Sequence, residues 1–184
     1  MSCRYLDAGA LLSACGTYRY SLWREWDQVA APRVALWLMT NPSDADGETD
    51  DNTVARCVRF SQAWGCTGLV IGNPRAFRTP YPKELAARTA EGVDTIGPAN
   101  EAVLSALLSA PETAVVIAAW GNHSNNVGRV EGVVALARTV GRQLHCLGLT
   151  GDGSPKHPLA RGKSFVPYSQ QPIPFEPVRI EARP

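Results

Sequence analysis

The feature that most constrains the fold is a set of apolar runs, each ending abruptly in polar residues and each separated from the next by a helix-sized stretch. Val34 to Met39 runs into Asn41-Pro42-Ser43, and Gly68 to Gly72 runs into Asn73-Pro74. Ala114 to Trp120 runs into Gly121-Asn122-His123, and Leu144 to Leu149 continues to Lys156-His157-Pro158-Leu159. Continuous apolar runs at this spacing read as parallel strands buried on both faces. The expected fold is therefore α/β: a three-layer αβα sandwich with a central, mostly parallel four-stranded sheet. In such sheets ligands bind beyond the carboxyl ends of the strands. Asn41, Asn73, Asn122, His123 and His157 should gather there in one site.

The segments between the runs read as helices. Asp51-Asn52-Thr53 can cap a helix from about Val54 to Trp64, with Val54, Cys57, Val58 and Ala63 near one face. A short helix is expected over Lys83 to Ala90, after the Pro-rich loop Arg75 to Pro82. Pro98 to Leu108 is expected to bury Leu104, Leu107 and Leu108, and Val127 to Arg142 to present Val130, Val133, Val134 and Ala137 on one stripe. The tail from about residue 167 holds five prolines and is expected to be extended, laid over the body or mobile. With 184 residues and 45% hydrophobic content, one sizeable core suffices, so 1–184 reads as a single domain.

No apolar stretch reaches the ~18 residues of a membrane span, and the start lacks an apolar signal core. Five scattered cysteines without a Cys-x-x-Cys pair fit a reduced, cytoplasmic setting. Cys3, Cys15, Cys57, Cys66 and Cys146 are expected to be small buried side chains. The net charge of +1 is uninformative, but basic residues cluster: Arg75, Arg78, Lys83 and Arg88 follow the second run, and Lys156, Arg161 and Lys163 surround His157. Taken singly, each Asn-Pro is simply a strand-ending turn. Their shared position at the ends of core strands raises the functional reading. His145 reads as a strand histidine, and His123 stands open between a loop residue and a phosphate or base contact. The acidic stretch Asp44, Asp46, Glu48, Asp50, Asp51 does not have calcium-loop spacing. It reads as a solvated loop and helix cap in which Asp44 is close enough to Asn41 to assist it.

The order Asn-Pro, Asn, Trp-Gly and His-Pro after four successive core strands resembles the uracil-DNA glycosylase superfamily. Ser13-Ala-Cys15-Gly16-Thr-Tyr18-Arg19-Tyr20 with Trp23 and Trp26, followed by Asn41-Pro-Ser-Asp-Ala-Asp and Asp50-Asp51-Asn-Thr53, resembles a bacterial and phage family catalogued as a domain of unknown function (DUF1643-like). The two resemblances together cover roughly Leu12 to Tyr168. The first implies a uracil-DNA glycosylase-like fold with Asn41 positioning the attacking water, Asn73 reading the edge of a flipped pyrimidine and His157 steadying the charge on the departing base. Trp120 would be a packing residue.

Breaking a pyrimidine N-glycosidic bond needs a positioned water and donors aimed at the base oxygen, which an amide and an imidazole supply. The target base must also leave the duplex, which calls for a basic rim and a wedge. The expected catalytic set is Asn41, His157 and Asp44; the base-binding set is Asn73, Ser43, Pro42 and His123; the DNA-binding set is Arg75, Arg78, Lys156, Arg161 and Lys163. Phe77, Tyr81 and Leu159 are the wedge candidates. Uracil-specific members that resemble this chain carry a bulky aromatic at the position of Ser43, so a small residue there leaves room at pyrimidine carbon 5. The preferred expectation is a DNA glycosylase acting on a bulky carbon-5-substituted cytosine, such as glucosylated hydroxymethylcytosine in phage DNA, and serving antiviral defence. Alternatives are a uracil or mismatch repair glycosylase, an N-glycoside hydrolase acting on free nucleotides, and a non-catalytic base-binding module. No cofactor or metal is expected. The expected partner is double-stranded DNA with a flipped modified base, with no membrane, and the protein is expected to be a monomer.

Overall fold

The computed structural model describes residues 5–43, 47, 49–122 and 127–176, with the side chains of 82, 127 and 128 left aside. Two N-terminal strands, β1 (Asp7–Leu12) and β2 (Arg19–Glu25), precede the first core strand, β3 (Val34–Leu38). Then come α1 (Asn52–Ala63), β4 (Gly68–Gly72), α2 (Pro82–Ala90), α3 (Asn100–Ser109), β5 (Thr113–Ala118), α4 (Val127–Thr139), β6 (Leu144–Cys146) and β7 (Ile173–Pro174). They form one sheet in the order β1-β2-β4-β3-β5-β6-β7.

The four apolar runs are the four central strands, and they pair parallel, β4 to β3, β3 to β5 and β5 to β6. The expected sheet is nevertheless too small. β1 and β2 extend one edge antiparallel and β7 closes the other antiparallel, so the sheet has seven strands and is mixed. The tail does more than lie over the body as far as residue 176. Ile173 and Pro174 join β6, and Phe175 is buried edge-on against Trp120.

Strand alternation divides the core into two halves. Ala35 and Trp37 of β3, with Leu69, Ile71 and Ile117, pack on one face against Val54, Cys57, Val58 and Phe60 of α1. Leu36 and Leu38, with Val116, Ala118, Leu144 and Cys146, pack on the other against Leu104 and Leu108 of α3 and Val133, Val134 and Ala137 of α4. Helices thus cover both faces. The buried indole N–H of Trp37 donates to Ser61 Oγ at 3.0 Å, and that hydroxyl donates to Cys57 O, so the aromatic cluster Trp37, Phe60, Trp64 carries no orphaned donor there.

α1 begins where Asp51 accepts the Val54 backbone N–H at 2.8 Å, the expected cap. Opposite it, α3 approaches the end of β4 so closely that a Cβ on Gly72 would stand 2.8 Å from Leu104 Cδ2. Any larger residue there would displace the Leu104 side chain from its place over the sheet. The end of β3 is tied to the end of β5 by the Thr40 hydroxyl donating to Trp120 O at 2.7 Å. Among the described residues, no helix is long and apolar enough to cross a membrane.

Candidate functional site

Beyond the carboxyl ends of β3 and β4 lies a cavity of about 140 Å³. Its wall is made by Met39, Thr40, Asn41 and Ser43 after β3, Ile71 and Asn73 at β4, Arg19 at the start of β2, Asp51, Thr53 and Val54 at the α1 N-terminus, Thr79 and Pro80, and His157. Asn41, Asn73 and His157 are thus brought together from three widely separated segments. The volume is well below the roughly 300–1,000 Å³ of pockets for drug-sized ligands. It matches a single ring with its substituents, not a whole nucleotide.

Asn73 is 1% exposed, and its Nδ2 donates to Met39 O at 3.1 Å. A backbone carbonyl can only accept, which fixes the amide orientation and turns Oδ1 away from Met39. That oxygen is buried with no hydrogen-bond partner in the protein. A buried acceptor left unmatched at a cavity wall can take a donor from a ligand or from an ordered water. The turn bearing it is held from behind: the buried Asn100 amide donates to Asn73 O and Pro74 O at 3.0 and 3.1 Å, and Arg129 Nε donates to Pro74 O at 2.7 Å.

The Asn41 amide uses its N–H groups on the protein, donating to Thr79 O at 2.7 Å and Pro42 O at 3.1 Å. Its carbonyl oxygen remains the group to offer an incoming water. His157 lies on the chain that folds back after β6, where Gly121 N–H donates to Pro155 O and Lys156 N–H to Gly148 O. Its Nδ1 accepts the Leu159 backbone N–H at 3.1 Å. An accepting Nδ1 carries no proton, so the neutral ring carries its hydrogen on Nε2 and is a donor on that side.

Ser43 lines the cavity, but its hydroxyl is engaged, donating to Asp51 Oδ2 at 2.5 Å while Asp51 Oδ1 caps α1. Arg19 and Thr79 are lining residues that the sequence reading did not place in the site. Arg19 is 3% exposed and brings a permanent positive charge to the wall. The signal for it lies in the alternation Tyr18-Arg19-Tyr20-Ser21-Leu22, which marks a strand with Arg19 and Ser21 on one side.

The other expected residues are distributed unevenly. Pro42 is buried beside Asn41, and its carbonyl accepts from Asn41 and from Thr79 N–H. Asp44 and His123 lie outside the described residues, and Asn122 is exposed and does not line the cavity. Arg75 turns toward Thr95, donating at 2.6 Å, and burial followed by the nearby Arg129 guanidinium pulls its pKa below the ordinary arginine value. Arg78 donates to Gly16 O at 3.1 Å. Lys156 is half-buried, whereas Arg161 and Lys163 are exposed. Of the wedge candidates, Tyr81 and Leu159 are exposed, while Phe77 packs edge-on against Tyr18. Cys57, Cys66 and Cys146 are buried as expected, but Cys15 is exposed, and its hydrogen bonds with Ser13 and then Thr17 lower its pKa to about 7. Cys3 lies outside the described residues. Among the described residues, no group of three or more His, Cys, Asp or Glu side chains could hold a metal ion.

The chain belongs to the family described as "Protein of unknown function (DUF1643)", whose model matches residues 19–159. Every residue lining the cavity, from Arg19 to His157, falls within that match. No curated protein and no solved structure matches the chain.

Proposed function

We propose that the protein is a monofunctional DNA glycosylase that takes a flipped pyrimidine into this cavity and hydrolyses its N-glycosidic bond, leaving an abasic site. The observation that carries the reading is the convergence of Asn41, Asn73 and His157 on one ring-sized cavity, with an unmatched acceptor of Asn73 in its wall. Asn73 Oδ1 accepts from a base N–H; the exocyclic amino group of cytosine is such a donor. Asn41 Oδ1 holds a water against the anomeric carbon of the sugar. As the C1′–N bond breaks, its electron pair passes to the base, and Nε2–H of His157 donates to the base carbonyl on which charge develops. The water oxygen bonds to C1′ and loses its proton to solvent. The departing base takes a proton from solvent.

The preferred substrate is a carbon-5-substituted cytosine, such as glucosylated hydroxymethylcytosine in phage DNA, which makes the activity a cytoplasmic defence against foreign DNA. The small Ser43 supports this, because its hydroxyl is drawn toward Asp51 and a substituent passes over it out of the cavity. The ring-sized volume favours the alternative, a uracil or mismatch repair glycosylase, because an unsubstituted base fills it alone.

The test is to incubate the protein with DNA carrying cytosine, hydroxymethylcytosine, glucosylated hydroxymethylcytosine, uracil or a G·T mismatch, and with the matching free nucleotides. Alkali-labile sites in the glucosylated DNA are the expected result. Sites confined to uracil or the mismatch would select the repair reading. Base release from free nucleotides alone would remove DNA from the account.

A further inference from the structure

Next to the ring-sized cavity is a larger cleft of about 400 Å³ between α1 and the chain that follows His157, with Arg56, Arg59, Arg161, Phe165 and Tyr168 in its lining. The two segments that build it, residues 52–63 and 158–170, carry Arg56, Arg59, Arg161 and Lys163 and no carboxylate. The lining thus carries three arginines and no carboxylate, a composition that complements a polyanion.

The arginines divide the work. Arg56 is a structural link: it donates to Pro158 O and Val166 O, and its guanidinium lies 4.5 Å from the Tyr168 ring centroid and 5.1 Å from that of Phe165. Arg59 is exposed and stacks on Tyr168 at 3.8 Å. Stacking occupies the face of a guanidinium and leaves the in-plane N–H fork at its edge, the geometry that grips phosphate. Among the described residues, no acceptor of the protein meets that fork. Beside it Phe165 is 56% exposed. An exposed aromatic side chain among arginines is the chemistry that binds unpaired nucleotides: the ring takes a base and the fork takes a phosphate.

We infer that this cleft is a second nucleotide subsite, which takes the nucleotide adjoining the flipped one, its base stacked on Phe165 and its phosphate gripped by Arg59 and Arg161. The inference rests on the DNA reading above for the identity of the neighbour. The segment His157 to Ala160 joins the two places, since His157 lines the small cavity and Leu159 and Ala160 line the cleft. A strand entering the site thus has two nucleotides out of the stack instead of one.

The test measures binding of a short, unmodified single-stranded oligonucleotide by fluorescence anisotropy as a function of salt, so no chemistry is involved. Phe165→Ala and Phe165→Leu should each weaken binding about tenfold, and Phe165→Trp should preserve or tighten it, a pattern that follows stacking and not loop packing. Arg59→Ala should weaken binding and lower the log–log salt slope by about 0.7, the value for one phosphate contact on a single strand. Arg138→Ala, on exposed α4 across the sheet, should bind as wild type, and all variants should melt as wild type. Wild-type affinity in Arg59→Ala and Phe165→Ala, or no single-strand binding by the wild type, would overturn the subsite. So would competition by a free mononucleotide as strong as that of the oligonucleotide. Single-strand binding that depends on Arg59 and Phe165, without base release on any DNA, would keep the subsite and remove the glycosylase. Base release with normal binding by the variants would do the reverse.

Discussion

Under the proposed glycosylase reading, Ser43 is the side chain that bears most directly on substrate choice. It sits in the cavity wall with its hydroxyl on Asp51, so enlarging it both fills space and removes a hydrogen bond at the α1 cap. Ser43→Tyr should suppress release of a carbon-5-substituted cytosine far more than release of an unsubstituted base. Overfilling a packed pocket by even a few methylenes costs ~1–3 kcal/mol, and a phenol set against a sugar is worse. Single-turnover base release from both substrates checks this; equal losses on both would mean that Ser43 does not face carbon 5. At this scale much of the site was legible. Asn41 and Asn73 each stand just past the end of an apolar core run, where a purely structural chain has less use for an amide, and His157 stands in the His-Pro that follows the turn after the fourth run. Arg19 was not legible as a site residue, because it precedes the first apolar run and reaches the cavity only through an antiparallel pairing that local sequence does not encode. The engagement of Arg75 with Thr95 was hidden for the same reason: their approach is set by the loop between α2 and α3.

Among the elements, β2 is the one whose loss most disturbs the site from a distance. Arg24 on β2 is fully buried, its Nε donating to Asp50 Oδ1 at 2.8 Å and its Nη1 to Trp23 O at 2.7 Å, while the Tyr5 hydroxyl also donates to Asp50. This group fastens β2 to the residue before the Asp51 cap. Arg24→Ala leaves the Asp50 charge inside without its cation, and breaking such a pair by removing one partner costs about 3–5 kcal/mol. At roughly 2–4 °C per kcal/mol for a chain of this size, the melting temperature should fall by about 10 °C in calorimetry or a thermal melt followed by circular dichroism. The paired change Arg24→Met with Asp50→Leu should recover much of the loss, because no charge is then stranded. A fall of a degree or two in Arg24→Ala would show the pair to be dispensable. β1 and β2 escaped the sequence reading because neither is a continuous apolar run: β1 is a mostly exposed edge strand, and β2, paired on both sides, mixes Arg19, Ser21 and Arg24 with Tyr20, Leu22 and Trp23; β7 escaped it because two residues including a proline carry no strand pattern. The four helices were readable from caps and apolar spacing, with ends displaced by a few residues.

For the whole molecule, the doubly covered parallel centre follows from the four apolar runs, since strands hydrophobic on both faces need helices on both. What no run could reveal is the mixed character of the complete sheet and the use of the tail, through Phe175 on Trp120, to close it. Membership of the family spans the whole cavity but only part of the neighbouring cleft, where Arg161, Phe165 and Tyr168 lie beyond the matched residues. The central claim is that the cavity breaks a glycosidic bond with Asn41 on the water and His157 on the leaving base. Single-turnover base release from glucosylated hydroxymethylcytosine DNA, compared among wild type, Asn41→Ala and His157→Ala with matched melting temperatures, tests it most directly. The account predicts a fall of ~100-fold or more in each variant, the scale for removing a positioned acid–base or oxyanion group. Base release by Asn41→Ala at the wild-type rate would contradict it.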